Sequence, residues 1–300
     1  MKNKALTLTF IFKASSLNYG EGTANISELK KFHRGDGEVY SFASRQAIRY
    51  DIVRLGNKFF NWNLDVVDKS KGVVQFKEEC TIEDSVEMDL FGYMKTKAKG
   101  SAESAEKRSA VARLSHAVSL EPYRSDLEFL NNMGLAKRIN ENANIATLEQ
   151  HESLYTYTLT IDLSNVGVDG AIELSELEKA SRVKQLIEIT KYLNRDIRGR
   201  QENLAPLFVI GGLYPIANPF FLGRVALQDY NARLLNIKPM ESVLKQTALG
   251  HDVRTCTKIG LVDGIFANEN EITELAETVS VEEFYQHLFQ EIDAYYKVLV

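Results

Sequence analysis

Two arginines one helical turn apart, Arg45 and Arg49, sit in the stretch SRQAIRYDI, where Ser44 can cap the start of a helix. Guanidinium groups at that spacing, near a helix start, suit a phosphate or another polyanion rather than bond-making chemistry. A second basic run, Lys95, Lys97, Lys99, Lys107, Arg108 and Arg113, links the apolar block DLFGYM to the segment KRSAVARLSHAVSL. An ordered body holding a mobile basic arm is a way to grip a nucleic-acid backbone. Residue types suited to catalysis are not grouped. His33, His116, His151, His251 and His287 are scattered without ligand spacing, and Cys80 and Cys256 stand outside any C-x-x-C pattern, so neither a metal site nor another cofactor is called for. There is no phosphate loop, dinucleotide fingerprint, zinc-protease helix or nucleophile elbow. His33, beside Arg34 and Asp36 in a glycine-marked loop, is where a general acid or base could sit, without a partner at a fixed spacing.

The formal net charge of -5 argues against a generic nucleic-acid binder, and the distribution matters more than the sum. From Lys30 to Lys58 the basic residues Lys30, Lys31, Arg34, Arg45, Arg49, Arg54 and Lys58 face only Asp36, Glu38 and Asp51. From Gly264 onward the sign reverses, with Lys297 the lone cation. Such a molecule can track a polyanion on one side and meet basic neighbours on another; solvated faces are the competing reading. With 300 residues and 44% hydrophobic content the chain can bury a sizeable core, as one elaborated domain or two. The apolar run Leu6 to Phe12 is too short for a membrane span and carries no signal-peptide pattern, so a cytoplasmic protein with no membrane partner is expected.

The elements that must position these groups follow from periodicity. Residues 4 to 12 read as a strand with one buried face. A helix capped by Ser41 or Ser44 should run to about Leu55, with Ile48, Ile52 and Leu55 as its core stripe and Gly56 as its terminator. Val73 to Glu79 and Leu154 to Leu163 are strand candidates, the latter rich in Tyr, Thr and Ile. Leu174, Leu177, Leu186, Leu193 and Ile197 fit one long helix from Leu174 to Ile197. PLFVIGGL, residues 206 to 213, reads as a buried strand, YPIANPFFLGR as a projecting hairpin or loop, and Val281 to Lys297 as a final helix. The order is that of an α+β fold, a ferredoxin-like or RRM-like sandwich with a large insertion between its halves.

The strand LTLTFIFKASSLNYGEG, the helix YSFASRQAIRYDI, the block DLFGYM, the run KRSAVARLSHAVSL and the excursion LFVIGGLYPIANPFF occur in order. Together, over about residues 5 to 230, they resemble the DevR-type backbone subunit of type I-B CRISPR surveillance complexes (Cascade), a branch of the RAMP superfamily. That resemblance implies an RRM-like palm (residues 1–87 and 151–300), a finger-like insertion (88–150) with a flexible basic loop at about 95–107, and a thumb-like excursion at about 206–230. It implies a non-catalytic protein that polymerises with copies of itself along CRISPR RNA, beside other Cascade subunits. The guide is presented to target DNA, and cutting falls to a recruited Cas3 helicase-nuclease.

By the same resemblance, Ser44, Arg45, Gln46 and Arg49 match the palm helix that holds RNA phosphates, with Lys13 and Asn18 leaving the first strand towards the same face. Asp51 or Glu38 are the surface partners that would otherwise occupy the two arginines. Lys95, Lys97, Lys99, Lys107 and Arg108 fit the finger loop, Arg113 and Ser115 the ordered run after it, and Asn218, Phe220 and Phe221 the thumb. There an apolar wedge would separate bases, or the two rings would pack into the core. Two catalytic alternatives belong to the superfamily. A type III-like subunit would cleave target RNA with Asp36, but YSFASRQAIR replaces the glycine-serine turn normal in that branch. A guide-precursor endoribonuclease would need a catalytic histidine and a glycine-rich C-terminal loop, for which Gly260 and Gly264 are poor candidates.

Overall fold

The ten residues Ala5–Ala14 form strand β1, the centre of the largest sheet in a computed structural model that describes residues 5–69, 72–96 and 105–298. In chain order there follow β2 (Lys31–His33), β3 (Val39–Ala43), α1 (Arg45–Phe60), α2 (Val86–Phe91), β4 (Tyr93–Lys95) and β5 (Glu106–Arg108). Next come β6 (Ala112–Leu114), β7 (Ala117–Ser119), β8 (Asp126–Asn131), β9 (Ile145–Gln150), β10 (Ser153–Asp162), α3 (Glu176–Lys191) and β11 (Phe208–Tyr214). The chain closes with α4 (Ile237–Leu244), β12 (Lys258–Leu261), α5 (Glu269–Leu275), β13 (Glu277–Ser280) and α6 (Val281–Tyr296). The fold is mixed α+β.

The main sheet runs β13-β12-β11-β1-β10-β7-β3-β2, with β6 also paired to β10. Within it the succession β1, α1, β6/β7, β10, α3, β11 sets its strands side by side as fourth, first, third and second, all antiparallel. Helices α1, α3 and α6 cover one face, where Leu6, Leu8, Phe10 and Phe12 meet Tyr157, Leu159, Ile48, Leu186 and Phe284. A second core on the other face gathers Ile11, Phe208, Ile210, Tyr214, Phe221 and Met240. β1 is therefore buried on both faces rather than one. Its alternating Thr7 and Thr9 are buried too, and their hydroxyls meet Thr160 and Thr158 of β10 at 3.4 and 2.8 Å. Buried hydroxyls are tolerated where they are paired in this way.

Three expected boundaries move. α1 continues through Gly56 and ends at Phe60, with Asn61 in the left-handed conformation as its cap. Gly56 is a packing residue: a Cβ there would stand 2.3 Å from the Trp62 ring, which folds back onto the helix. The strand expected at Val73 to Glu79 shrinks to Gln75–Phe76. α3 stops at Lys191, because Asn194–Ile197 turns at Arg198 and Gly199, both with positive φ, and pairs with Arg200–Asn203 as a hairpin. Leu177, expected in the core stripe, is exposed, and Ala180, Val183 and Ile187 take its place. α6 runs as expected and opens on a capping box between Ser280 and Glu283. Among the described residues no helix is long and apolar enough to cross a membrane.

Candidate nucleic-acid interface

Of the two caps that the sequence offered, Ser44 starts α1, and Ser41 lies in β3. The Ser44 hydroxyl accepts from the Ala47 amide at 3.2 Å, capping the helix, and the Ser44 amide donates to Asn18 Oδ1 at 3.0 Å. The next amide, that of Arg45, donates to Nδ1 of His116 at 3.0 Å. An accepting Nδ1 requires that nitrogen to be unprotonated. Burial, with Arg45 and Lys30 nearby, lowers the His116 pKa from its ordinary value and favours the neutral ring. Asn18 and His116 thus fasten the start of α1, and Asn18 acts as a positioning residue here.

Arg45 and Gln46 are exposed beyond this cap. Arg49, one turn on, is half-buried: it pairs with Glu87 of α2 at 2.6 Å and its guanidinium lies 5.1 Å from the centre of the Phe91 ring. The anionic partner is therefore Glu87, not Asp51 or Glu38. Asp51 is buried and holds Arg195 at 2.6 Å and Arg54 at 3.4 Å. Facing α1 across a groove of about 520 Å³ is Arg113 of β6, exposed, its Nε donating to the Ala110 carbonyl at 3.1 Å. Phe91 and Leu114 also line this groove. Residues far apart in sequence, Arg45, Gln46, Arg49 and Arg113, are thus brought to one cationic groove with an apolar lining. Arginine forks on such a surface suit phosphate oxygens, while the ring and aliphatic groups suit sugar and base faces.

The DLFGYM block builds the edge of this groove. Asp89 is fully buried and accepts from Arg108 at 2.7 Å, from Arg182 of α3 at 3.0 Å and from the Gly167 amide at 2.9 Å. Gly92 has φ 70°, and a Cβ there would lie 2.5 Å from the Arg108 carbonyl, so β4 and β5 can pair only with glycine at this turn.

Several expected contacts lie elsewhere. Arg108 is not a loop cation: only 7% of its side chain is exposed, and besides Asp89 it donates to the carbonyls of Asn165 and Val168. Lys95 is buried, its ammonium capping the carbonyls of Glu78 and Cys80 at 3.1 and 2.6 Å. These two groups follow the pairing rule for buried charge, which a run of like charges in sequence does not reveal. Lys97 and Lys99 lie outside the described residues, and Lys107 is exposed on β5. Ser115 links strands, accepting from the Thr158 amide and donating to the His116 carbonyl, both at 2.9 Å. Lys13 is exposed but paired with Glu152 at 2.7 Å, and it lines neither groove described here.

The excursion after β11 folds back as a loop. Phe221 is fully buried and Phe220 is 9% exposed, its ring 4.6 Å from that of Tyr214, so both rings fill the second core rather than stand out as a wedge. Asn218 is exposed at its crest, its carbonyl held by the Thr7 hydroxyl at 3.0 Å. Asp36 accepts from Tyr40 and from the Glu38 amide at 2.8 and 3.0 Å, and those bonds lower its pKa from the ordinary value. Neither it nor His33 lines the grooves, and among the described residues no cluster of His, Cys, Asp and Glu is arranged to hold a metal ion.

Sequence reasoning missed His116, Glu87, Phe91 and Asp89. Only Asp89 carried a usable signal, a carboxylate set inside an apolar block.

Chains of solved structures with related folds include the following two. A chain of a "CRISPR RNA-guided surveillance complex, pre-nicking" is 11% identical, with a TM-score of 0.61 over 96% of this chain and 100% of that one. A chain of a "CRISPR RNA-guided surveillance complex" is 11% identical, with a TM-score of 0.54 over 95% and 98%. No curated protein matches by sequence. The family described as "CRISPR-associated negative auto-regulator DevR/Csa2" matches residues 6–232, which include the strand-and-helix frame and every residue of the cationic groove. The chain therefore belongs to the DevR/Csa2 family of CRISPR-associated proteins.

Proposed function

We propose that this chain is a CRISPR-RNA-binding backbone subunit of a Cascade-type surveillance complex. It holds the guide by its phosphates and does no cutting itself. The carrying observation is the groove in which Arg45, Arg49 and Arg113 converge on a rigid wall of α1 and β6. No base-reading code is needed of such a groove, because guide pairing supplies the sequence recognition and the protein supplies shape and charge. Family membership and the fold of the surveillance-complex chains support the same reading. In it the main sheet, β6 and β7 included, with α1 and α3 is the palm, the excursions carrying β4–β5 and β8–β9 on either side of β6 and β7 are the finger, and the loop after β11 is a short thumb. Other Cascade subunits, target DNA and the recruited Cas3 nuclease are its partners in the assembled complex.

Copies of the chain are proposed to associate along the RNA. The support is the β8–β9 hairpin: Leu127, Phe129 and Ile145 share one face of it with Ile26, and Leu135 and Ile139 are exposed in its connecting turn. Phe129 is 61% and Ile139 73% exposed, beside Lys137 and Arg138. An apolar patch of this size on an element that packs little against the core fits a protein partner, and its cationic turn fits an acidic one. The acidic C-terminal stretch is partly used internally, with Glu277 on Lys258, Glu282 on Lys191 and Asp293 on Lys184, while Glu271 and Glu274 face solvent. Light scattering on guide-length RNA should give several protein copies per strand for the wild type. The single substitution Phe129→Asp should weaken that association roughly 10- to 100-fold, the cost of losing one large buried apolar side chain. Binding of one copy to a short RNA should not change. A wild type that stays monomeric on long RNA would remove the backbone role.

A further inference from the structure

The hairpin that carries Phe129 has an open edge. β8 stands at the end of its small sheet, with β9 on one side and, among the described residues, no strand on the other. Thr147, opposite Phe129, donates its amide away from β8 to the Asn25 carbonyl at 2.9 Å, and Asn132 donates towards the Asn144 carbonyl at 3.3 Å. An antiparallel ladder alternates, so the N–H and C=O groups of Leu127, Phe129 and Asn131 all point outward. Among the described residues no main-chain hydrogen bond reaches them. The usual protections of an edge are missing: DLEFLN holds no proline or lysine, its register with β9 is unbroken, and five of its six residues are exposed.

We infer that in the absence of RNA this edge pairs with the β8 edge of a second copy, across a two-fold axis at Phe129. The register follows from the outward groups, because two copies can exchange hydrogen bonds only where Leu127, Phe129 and Asn131 of each meet in antiparallel order. An axis at Glu128 would set two carboxylates directly opposite each other, which is destabilising. An axis at Leu130 would put Leu127 against Met133, which lies in the helical turn beyond the strand. The axis at Phe129 uses all three outward residues. It sets Phe129 against Phe129, Leu127 against Asn131 and Glu128 against Leu130, and Glu128 is already held within its own chain by Gln150 and, at 4.0 Å, by Arg200. A two-fold contact uses the same patch on both copies, so the pair is closed and does not grow. It also covers Phe129, so free copies are kept from stacking until RNA draws them apart; this consequence rests on the association along RNA proposed above.

Sedimentation of the full RNA-free chain should show a monomer–dimer equilibrium. Phe129→Lys and Phe129→Glu alter a position that is 61% exposed and should keep the thermal melt of the wild type. Each alone sets like charges across the axis and should weaken the dimer at least about tenfold. An equimolar mixture of the two sets opposite charges across the same axis and should recover a heterodimer within severalfold of the wild-type affinity. A wild type that stays monomeric up to its highest soluble concentration overturns the inference, as does a mixture no more associated than its components. Guide-length RNA should convert the wild-type dimer into multi-copy complexes, and a dimer that takes up RNA without coming apart overturns the competition. If the charge pair restores the RNA-free dimer but copies never gather on RNA, the association reading falls and the edge pairing stands.

Discussion

Replacing Arg45, Arg49 and Arg113 together with alanine is expected to lower affinity for single-stranded RNA roughly 100-fold at about 0.1 M salt, with no change in preference among sequences. The arginines reach the same groove from two sides, two from α1 and one from β6, so their loss removes the track as a whole. The slope of log affinity against log salt should fall by about 2, at about 0.7 for each single-strand phosphate that the protein no longer neutralises. Arg49 already shares its charge with Glu87 at 2.6 Å, so Arg49→Ala alone should cost less than Arg45→Ala. Glu87→Gln should raise affinity modestly by releasing it. Lys13→Ala is the control: a cation of the same sequence region, paired with Glu152 and outside the groove, whose loss should leave the slope unchanged. Filter binding across a salt series measures all of these, and an unaltered slope in the triple variant would remove the groove from the account.

The second large effect is on stability. Asp89 is fully buried between two guanidiniums, Arg108 and Arg182, whose side chains are 7% and 4% exposed. Replacing it with asparagine keeps the volume and removes the charge, leaving the two guanidiniums without their shared buried counter-ion and with only the more exposed Glu178, 2.7 Å from Arg182, and Asp169, 3.9 Å from Arg108. Breaking a buried ion pair in this way costs about 3–5 kcal/mol, which for a chain of this size lowers Tm by about 10 °C. Because Asp89 joins the DLFGYM turn to α3, hydrogen exchange should rise first in α2 and β5 and leave β1 and β10 protected. A variant melting within a degree or two of the wild type would contradict the role given to this triad.

Much of this architecture is legible from residue pattern. LTLTFIF and LYTYTLTID are strands because β-branched and aromatic residues alternate, and Ser44 and Ser280 begin helices because their hydroxyls satisfy amides that the first turn leaves open. What pattern does not carry is the partner brought by tertiary packing. Gly56 looks like a terminator until Trp62 is seen to need the space of its missing side chain. Lys95 and Arg108 look like a solvated run until the carbonyls of Glu78, Cys80 and Asn165 and the carboxylate of Asp89 close on them. Phe220 and Phe221 have the composition of a wedge, but only the second core decides that they point inward. Of the cationic groove, Arg45, Gln46, Arg49 and Arg113 were readable as candidates. Their convergence was not, since it depends on β6 pairing with β10 alongside α1.

The most direct measurement is the nucleic acid that copurifies with the full chain expressed beside a CRISPR array. Sequencing it should return RNA of one narrow length class with guide sequences from that array, and the Arg45, Arg49 and Arg113 triple alanine variant should purify nearly free of it. Protein that carries a random mixture of cellular RNA, DNA, or no nucleic acid would contradict the reading of this chain as a CRISPR-RNA-binding backbone subunit.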